Sequence, residues 1–405
     1  MNRGRPKKMI VEKLISDSEV KSREGTWIEE TDIKHLVNCN TDVYWKDGDG
    51  QLHLLLKFRK SKIKQSLLDT GWSSYKDLAK ASRGRGASAG PIDSNSDYWK
   101  KRNLVSSKKW STGYLNPTGN DLKQHYDTME LGDIKNICIE NCVVFSENDS
   151  KDDIILKLIK KHGGVSKMKV NNQVASNPIG FYEAGKNFAD LPCRLTHFTR
   201  TNYEKYNTGL PFIQKIDELF HNLVPESYQK QRERADTKPH LKIPETCFST
   251  VTINRNFRTA LHRDAGDFRE GFGNLTVIEQ GYYHGGYTVF PQFGVGIDLR
   301  SGDFVAMDVH QWHANTPIYE TPEDKLKNMD IVSDFKDNPA VGTAGLYQTY
   351  TRISFVCYLR EKIASCPDEI DPRYLTKSGH NKITPIKEEL KEDSNHKKES
   401  MQIYE

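Results

Sequence analysis

The sequence predicts an α+β protein whose second half is an antiparallel barrel or jelly roll, with helices packed on it and an α/β extension in front of it. Three observations lead there. From Thr246 to Glu361, short runs rich in Val, Ile, Thr, Tyr and Phe are separated by turns containing Gly and Asp, the pattern of a closed or two-layered β structure. The segment Pro211–Leu223 puts Phe212, Ile213, Ile216, Leu219, Phe220 and Leu223 on one face of a helix that is expected to begin at Pro211. A chain of 405 residues, 36% hydrophobic and 28% charged, is large enough for one elaborated domain or two smaller ones with a sizeable core.

Taken in order, residues 1–25 are basic and polar with little periodicity, and are expected to form a flexible arm. Residues 26–170 form an N-terminal extension. It opens with a hairpin in which strand-like runs from Asp42 and from Gln51 flank the turn Lys46-Asp-Gly-Asp-Gly. Residues 82–110 are rich in Gly, Ser, Lys and Arg but carry Tyr98, Trp99 and Trp110, which points to an ordered loop region. A short helix is expected from Asp152. Residues 171–365 hold the β-rich domain, and residues 366–405 a charged tail whose last 25 or so residues are expected to be disordered.

No stretch approaches the roughly 20 apolar residues of a membrane span, so a membrane partner is not expected. The start has no secretory signal, and the seven Cys form no obvious zinc or disulfide framework, which points to an intracellular, reducing compartment. The net charge of +4 is too modest to argue for nucleic acid unless the charges cluster.

Within the β-rich half, His262 and Asp264 flank Arg263 in Leu261-His-Arg-Asp-Ala-Gly-Asp. In an extended segment residues i and i+2 project to the same side, so an imidazole and a carboxylate can converge on one metal ion. His310 and His313 are candidates for a third ligand. Two His and one carboxylate with open positions is the ligand set of non-haem Fe(II) oxygenases. Further on, Thr351-Arg-Ile-Ser-Phe-Val-Cys-Tyr-Leu-Arg reads as a strand whose Arg352 points inward with Ser354. A buried Arg needs a carboxylate partner, from a ligand or from the protein.

Four motifs in order, Phe248–Asp267, Gly285–Phe304, Trp312-His-Ala-Asn-Thr-Pro and Arg352-Ile-Ser-Phe-Val-Cys-Tyr-Leu-Arg, resemble the TET/JBP family of DNA-base dioxygenases over roughly residues 175–362. The resemblance implies a double-stranded β-helix dioxygenase core that uses Fe(II), 2-oxoglutarate and dioxygen to oxidise the 5-methyl group of thymine or 5-methylcytosine in DNA. It implies His262, Asp264 and His313 as iron ligands, with His310 a polar neighbour, and Arg352 as the holder of 2-oxoglutarate. Asp267, Tyr358 and Arg360 fall where the family contacts the target base, and TET-type enzymes carry His where this chain has Arg360, which tilts the expectation towards thymine. Arg258 is expected to meet the second end of 2-oxoglutarate, a phosphate or an internal carboxylate. The 38 residues between His313 and Arg352, including the charged stretch 320–337, read as a surface insertion.

Arg3-Gly-Arg5-Pro-Lys7-Lys8 has the core of an AT-hook, in which an extended Arg-Gly-Arg enters a narrow minor groove and the lysines meet phosphates; a plain basic arm or a targeting signal has the same composition. Arg83-Gly-Arg-Gly and Lys100-Lys-Arg, near the aromatic residues, suit a backbone-tracking surface or a solvated loop. The expected partner is DNA with its target base flipped out, inside the cell wherever the DNA is, and the expected state is a monomer. Two other readings stand beside this one: a dioxygenase of the same fold acting on RNA, protein or a small molecule, and a DNA-binding protein whose barrel has lost catalysis.

Overall fold

The computed structural model describes residues 5–82, 85–92, 104–108, 111–166, 169–170, 174–184, 192–331, 348–371 and 374–375. A wide sheet runs in the order Lys7–Val11, Thr41–Lys46, Leu52–Arg59, Phe304–Met307, Gly273–Gln280, Thr351–Tyr358, Thr250–Arg255, Val174–Tyr182, Arg194–Leu195, with Ala81–Ser82 paired to Val174–Tyr182 off this path. A small sheet, in the order Ala314–Asn315, Thr288–Phe290, Val295–Ile297, His35–Val37, lies against it: Phe290, Val295 and Ile297 share a core with Leu275, Val277, Val305 and Met307 of the wide sheet. Two facing sheets with mostly antiparallel pairing are the jelly-roll core expected.

The strand Thr351–Tyr358 shows how the layers are assigned. Every second side chain (Ile353, Phe355 and Cys357) enters an apolar cluster with the helices Gln65–Tyr75, Tyr203–Leu223 and Pro225–Asp236. The alternate set (Arg352, Ser354, Val356 and Tyr358) lines a cavity between the sheets. Period-two patterning thus separates a dry face from a chemical face.

Several expectations change. The arm is built into the fold from Lys7 on: Lys7–Val11 pairs in parallel with Thr41–Lys46, Val11 is buried with Met9 packed beside it, and the helix Asp17–Ser22 buries Val20 against Leu261 and Trp312. The extension is not one separate body. Its first strands widen both sheets, while the helices Pro117–Asp127, Leu131–Glu140 and Lys151–Lys161 enclose a core of their own around Ile134, Ile154 and Leu158. The hairpin pairs as expected, with a bulge at Val43/Tyr44.

The long helix begins at Tyr203, not Pro211, which lies inside it. Burial of Tyr206 and the seating of Gly209 against Tyr75, where a Cβ would come within 2.2 Å of the ring, offset the cost of an internal proline. A disulfide joins Cys193 to Cys366, a pairing absent from the sequence expectation, and Ile370 and Leu375 pack near it, so the start of the tail belongs to the fold. The expected disorder of the last 25 or so residues lies outside the described residues. No described helix is long and apolar enough to cross a membrane.

Candidate active site

His262 and His313 face each other across a local bridge whose backbone amides and carbonyls bond reciprocally at 3.0 Å. This brings together two residues fifty-one positions apart in the chain. Asp264 stands between them, with Oδ1 3.6 Å from His262 Nε2 and Oδ2 3.6 Å from His313 Nε2. One ligand atom from each residue lies within 4.8 Å of the others, the spacing that a single metal ion needs. The outer nitrogens are already engaged: His262 Nδ1 lies 2.8 Å from the Ala260 carbonyl and His313 Nδ1 2.9 Å from that of Gln311. Nδ1–H donation to those carbonyls leaves both Nε2 lone pairs for a metal. Burial drives His262 towards its neutral form, to about 4, and nearby His313 adds to this. For His313 burial works the same way, but the adjacent Asp264 carboxylate outweighs it and raises the imidazole above its ordinary value.

From this triad a cavity of about 400 Å³ extends in both directions between the sheets. At one end Arg352 is 3% exposed, and its Nε and Nη2 have no hydrogen-bond partner. No carboxylate among the described residues forms an ion pair with it; Glu279, its cross-strand register partner, instead accepts from the Ser301 amide at 2.7 Å. Burial lowers the Arg352 guanidinium to about 10, although Glu279 opposes this. A buried cation with orphaned donors suits an anionic ligand, and Thr288 and Asn315 supply further polar wall at the same cavity.

The other end is built by Asp267, Tyr358 and Arg360. The Tyr358 hydroxyl lies 3.0 Å from Thr252 Oγ1. Asp267 is buried with Oδ2 unpartnered; burial and the neighbouring Asp264 charge push its carboxyl well above the ordinary carboxylate range. Arg360 is clamped by Glu183 through Nε and Nη2, the latter bond at 2.6 Å. That bridge is backed by Tyr182, whose ring centroid lies 5.7 Å from the Arg360 Cζ.

One stretch of the chain, residues 177–361, matches the TET/JBP oxygenase domain of the 2OGFeDO superfamily. Two kinetoplastid relatives are similar in sequence: the bifunctional helicase and thymine dioxygenase JBP2 of Trypanosoma cruzi, 31% identical over 51% of this chain and 17% of its own length, and the thymine dioxygenase JBP1-A of the same organism, 30% identical over 50% of this chain and 24% of its own. The chain therefore spans less than a quarter of the length of these relatives. A solved structure of NgTET1 in complex with 5mC DNA aligns with 94% of this chain and 90% of that one at 9% identity and a TM-score of 0.41, a likeness that carries no argument by itself.

The TET/JBP domain is a 2-oxoglutarate- and iron-dependent dioxygenase domain, and this chain's residues fit both groups. The two imidazoles and one carboxylate are the donor set for ferrous iron, and the orphaned Arg352 donors fit a carboxylate of 2-oxoglutarate. Arg258 does not join them. Its Nη2 donates to Glu29 at 2.6 Å and to the Ile28 carbonyl at 2.7 Å, and its guanidinium lies 4.7 Å from the Trp27 ring centroid, so the internal carboxylate is the partner found. His310 stays off the triad, with Nε2 3.2 Å from the Phe268 carbonyl.

Of the AT-hook-like run, Lys7 and Lys8 belong to the parallel strand described above, so the free extended reader is not formed there, and Arg3 lies outside the described residues. Arg83, Tyr98, Trp99, Lys100 and Trp110 also lie outside them. The described part of the insertion, the helix Pro322–Asn328, is tied down by Asn328, which accepts from the Tyr282 amide at 2.6 Å and donates to its carbonyl at 2.9 Å. Glu183, which holds Arg360 at the cavity wall, had no sequence signal, because it reaches its partner only through the folded chain; Arg85, the second arginine of Arg83-Gly-Arg-Gly, lines the cavity itself.

Proposed function

We propose that the protein hydroxylates the 5-methyl group of a 5-methylpyrimidine in DNA, thymine in preference to 5-methylcytosine. The observation that carries this reading is the two-ended cavity: one metal triad, one end with an unpaired guanidinium for a small dicarboxylate, and one end with an aromatic face and a buried acid. Bound ferrous iron with 2-oxoglutarate and dioxygen supplies the oxidation, in which one oxygen atom enters the methyl C–H bond and the other ends in succinate as carbon dioxide leaves. The remaining work falls to the chain's own side chains.

Arg352 anchors the distal carboxylate of the co-substrate, so the co-substrate is oriented before DNA arrives. Tyr358 offers a flat face for the target ring, held in place by Thr252. A duplex base reaches such a depth only by leaving the stack, at a cost of about a few kcal/mol that stacking and edge hydrogen bonds offset. Burial and the Asp264 charge shift the Asp267 carboxyl towards its neutral form, and in that form it would present one O–H donor and one carbonyl acceptor, a pair that complements the adjacent carbonyl and N–H of thymine. Arg360, fixed by Glu183, closes that end with a guanidinium whose orientation is set before substrate enters. The thymine preference is supported by the relatives named thymine dioxygenases and by Arg360 standing where TET-type enzymes have His.

The test is incubation of anaerobically loaded Fe(II) protein with 2-oxoglutarate, air and two duplexes, one rich in thymine and one carrying 5-methylcytosine, followed by nucleoside mass spectrometry. Conversion of thymine to 5-hydroxymethyluracil, absent in His313→Ala, is the expected result. Oxidation of 5-methylcytosine alone overturns the preference. Turnover of 2-oxoglutarate with no modified base on either duplex overturns the substrate.

A further inference from the structure

Arg85 is the one basic side chain from the N-terminal extension among the described residues that line the catalytic cavity. Its Nη1 lies 3.4 Å from Thr252 Oγ1, a long contact, and its Nε is buried without a hydrogen-bond partner. No ion pair to it is formed among the described residues. Thr252 is also the residue that holds the Tyr358 hydroxyl, so Arg85 stands at the same end of the cavity as Tyr358, opposite the Arg352 end. Its charge reaches Asp264 and Tyr358.

The segment that presents Arg85 is fastened to the stretch that leads into His262. The Ser88 carbonyl accepts from the Ala260 amide at 2.9 Å, two residues before His262, and the Ser88 hydroxyl donates to the Arg85 carbonyl at 2.7 Å. Ala89 is fully buried in a cluster with Val174 and Phe257. Gly90, at φ 78°, lets the chain turn against Trp27, where a Cβ would come within 2.3 Å of the ring. Such fastening is what a preorganised donor needs, and it is out of proportion for a guanidinium with one long contact to a hydroxyl.

We propose that Arg85 is a substrate-binding residue that donates to an acceptor oxygen of the target nucleotide, either a pyrimidine carbonyl or the flanking phosphate. The assignment rests on the reading of a DNA substrate given above. It makes the N-terminal extension part of the substrate pocket. A planar guanidinium meets either oxygen with more than one donor, which a lysine ammonium does not reproduce in the same geometry.

The test is equilibrium binding under anaerobic conditions with Mn(II) and 2-oxoglutarate, using one duplex with a single mispaired thymine and the same duplex with an abasic analogue at that position. If the oxygen is a base carbonyl, Arg85→Ala weakens binding of the thymine duplex by about 10- to 100-fold and leaves the abasic duplex unchanged. If it is a phosphate, both duplexes weaken, and the slope of log affinity against log salt becomes shallower by about one. In both cases Arg85→Lys recovers part of the phosphate contact and little of the base contact. Metal content and melting temperature are read alongside, and Arg85→Gln replaces Arg85→Ala if the latter does not fold. Wild-type affinity of Arg85→Ala for both duplexes, with KM for DNA oxidation unchanged, overturns the proposal. A wild-type protein that neither prefers the thymine duplex nor oxidises DNA shows instead that the DNA reading has failed, and the role of Arg85 falls with it.

Discussion

Arg352 and Arg360 lie eight residues apart on one strand and its continuation, and both line the same cavity, yet their surroundings are opposite. Arg360 has its carboxylate inside the protein, in Glu183, and the pair holds the acid below its ordinary range: burial works to raise Glu183, but the hydrogen bonds and charge of Arg360 outweigh it. Arg352 has none, and burial weakens its hold on the proton. A buried cation without a partner is a cost to the fold, so it marks a place where a ligand completes the structure; a paired one is finished wall. Of the two arginines, Arg352 is the one left without an anion, while Arg360 is settled wall at the end that receives the base under the function proposed above.

The largest effect is expected at the unfinished end. Arg352→Met is predicted to weaken 2-oxoglutarate binding by on the order of 10²- to 10³-fold, read by titration. In the absence of co-substrate the same variant melts higher than wild type, because a buried unpaired charge is gone. A variant that melts lower would mean that Arg352 has a structural partner after all, and the contrast between the two arginines would collapse.

Glu183→Gln sharpens the contrast from the other side. It leaves Arg360 with a weaker acceptor and is predicted to cost about 1–3 kcal/mol of stability by denaturant unfolding, with 2-oxoglutarate affinity unchanged. Since the folded acid lies below its ordinary 4.5, the advantage of wild type over Glu183→Gln is fully present above about pH 4.5 and disappears as pH falls through the lower folded value. An advantage that persists undiminished in stronger acid would show that the pair is not ionic.

The smallest effect is at the triad between the two ends. The metal-free His313 is raised above its ordinary 6.5 by Asp264, so a proton must leave it when a metal binds. Metal affinity is therefore predicted to rise by up to about tenfold per pH unit as pH increases from mildly acidic to neutral, with proton release in calorimetry. No proton release would mean that His313 is already neutral.

Part of the candidate site was legible in the sequence because its information is local: His262 and Asp264 are two residues apart, and Arg352 and Tyr358 share the parity of one strand, whereas the choice of His313 over His310 came from the family resemblance alone. What was not readable depends on contacts remote in the chain. Glu183 meets Arg360 across 177 positions, Glu29 captures Arg258 across 229, and Cys193 joins Cys366 across 173. The basic stretch from Arg3 hid a short alternation, Met9 and Val11, that is enough to seat a strand on a sheet edge beside Thr41–Lys46. Pro211 suggested a helix start because it is a local signal, and the burial of Tyr206 beyond it is not.

Calorimetric titration of 2-oxoglutarate into the Mn(II)-loaded wild type, Arg352→Met and Arg360→Gln proteins separates the two ends most directly. Binding lost in Arg352→Met and kept in Arg360→Gln is the predicted result. Binding kept in Arg352→Met, or lost in both variants alike while each remains folded and holds its metal, would contradict a cavity divided into a co-substrate end and a base end.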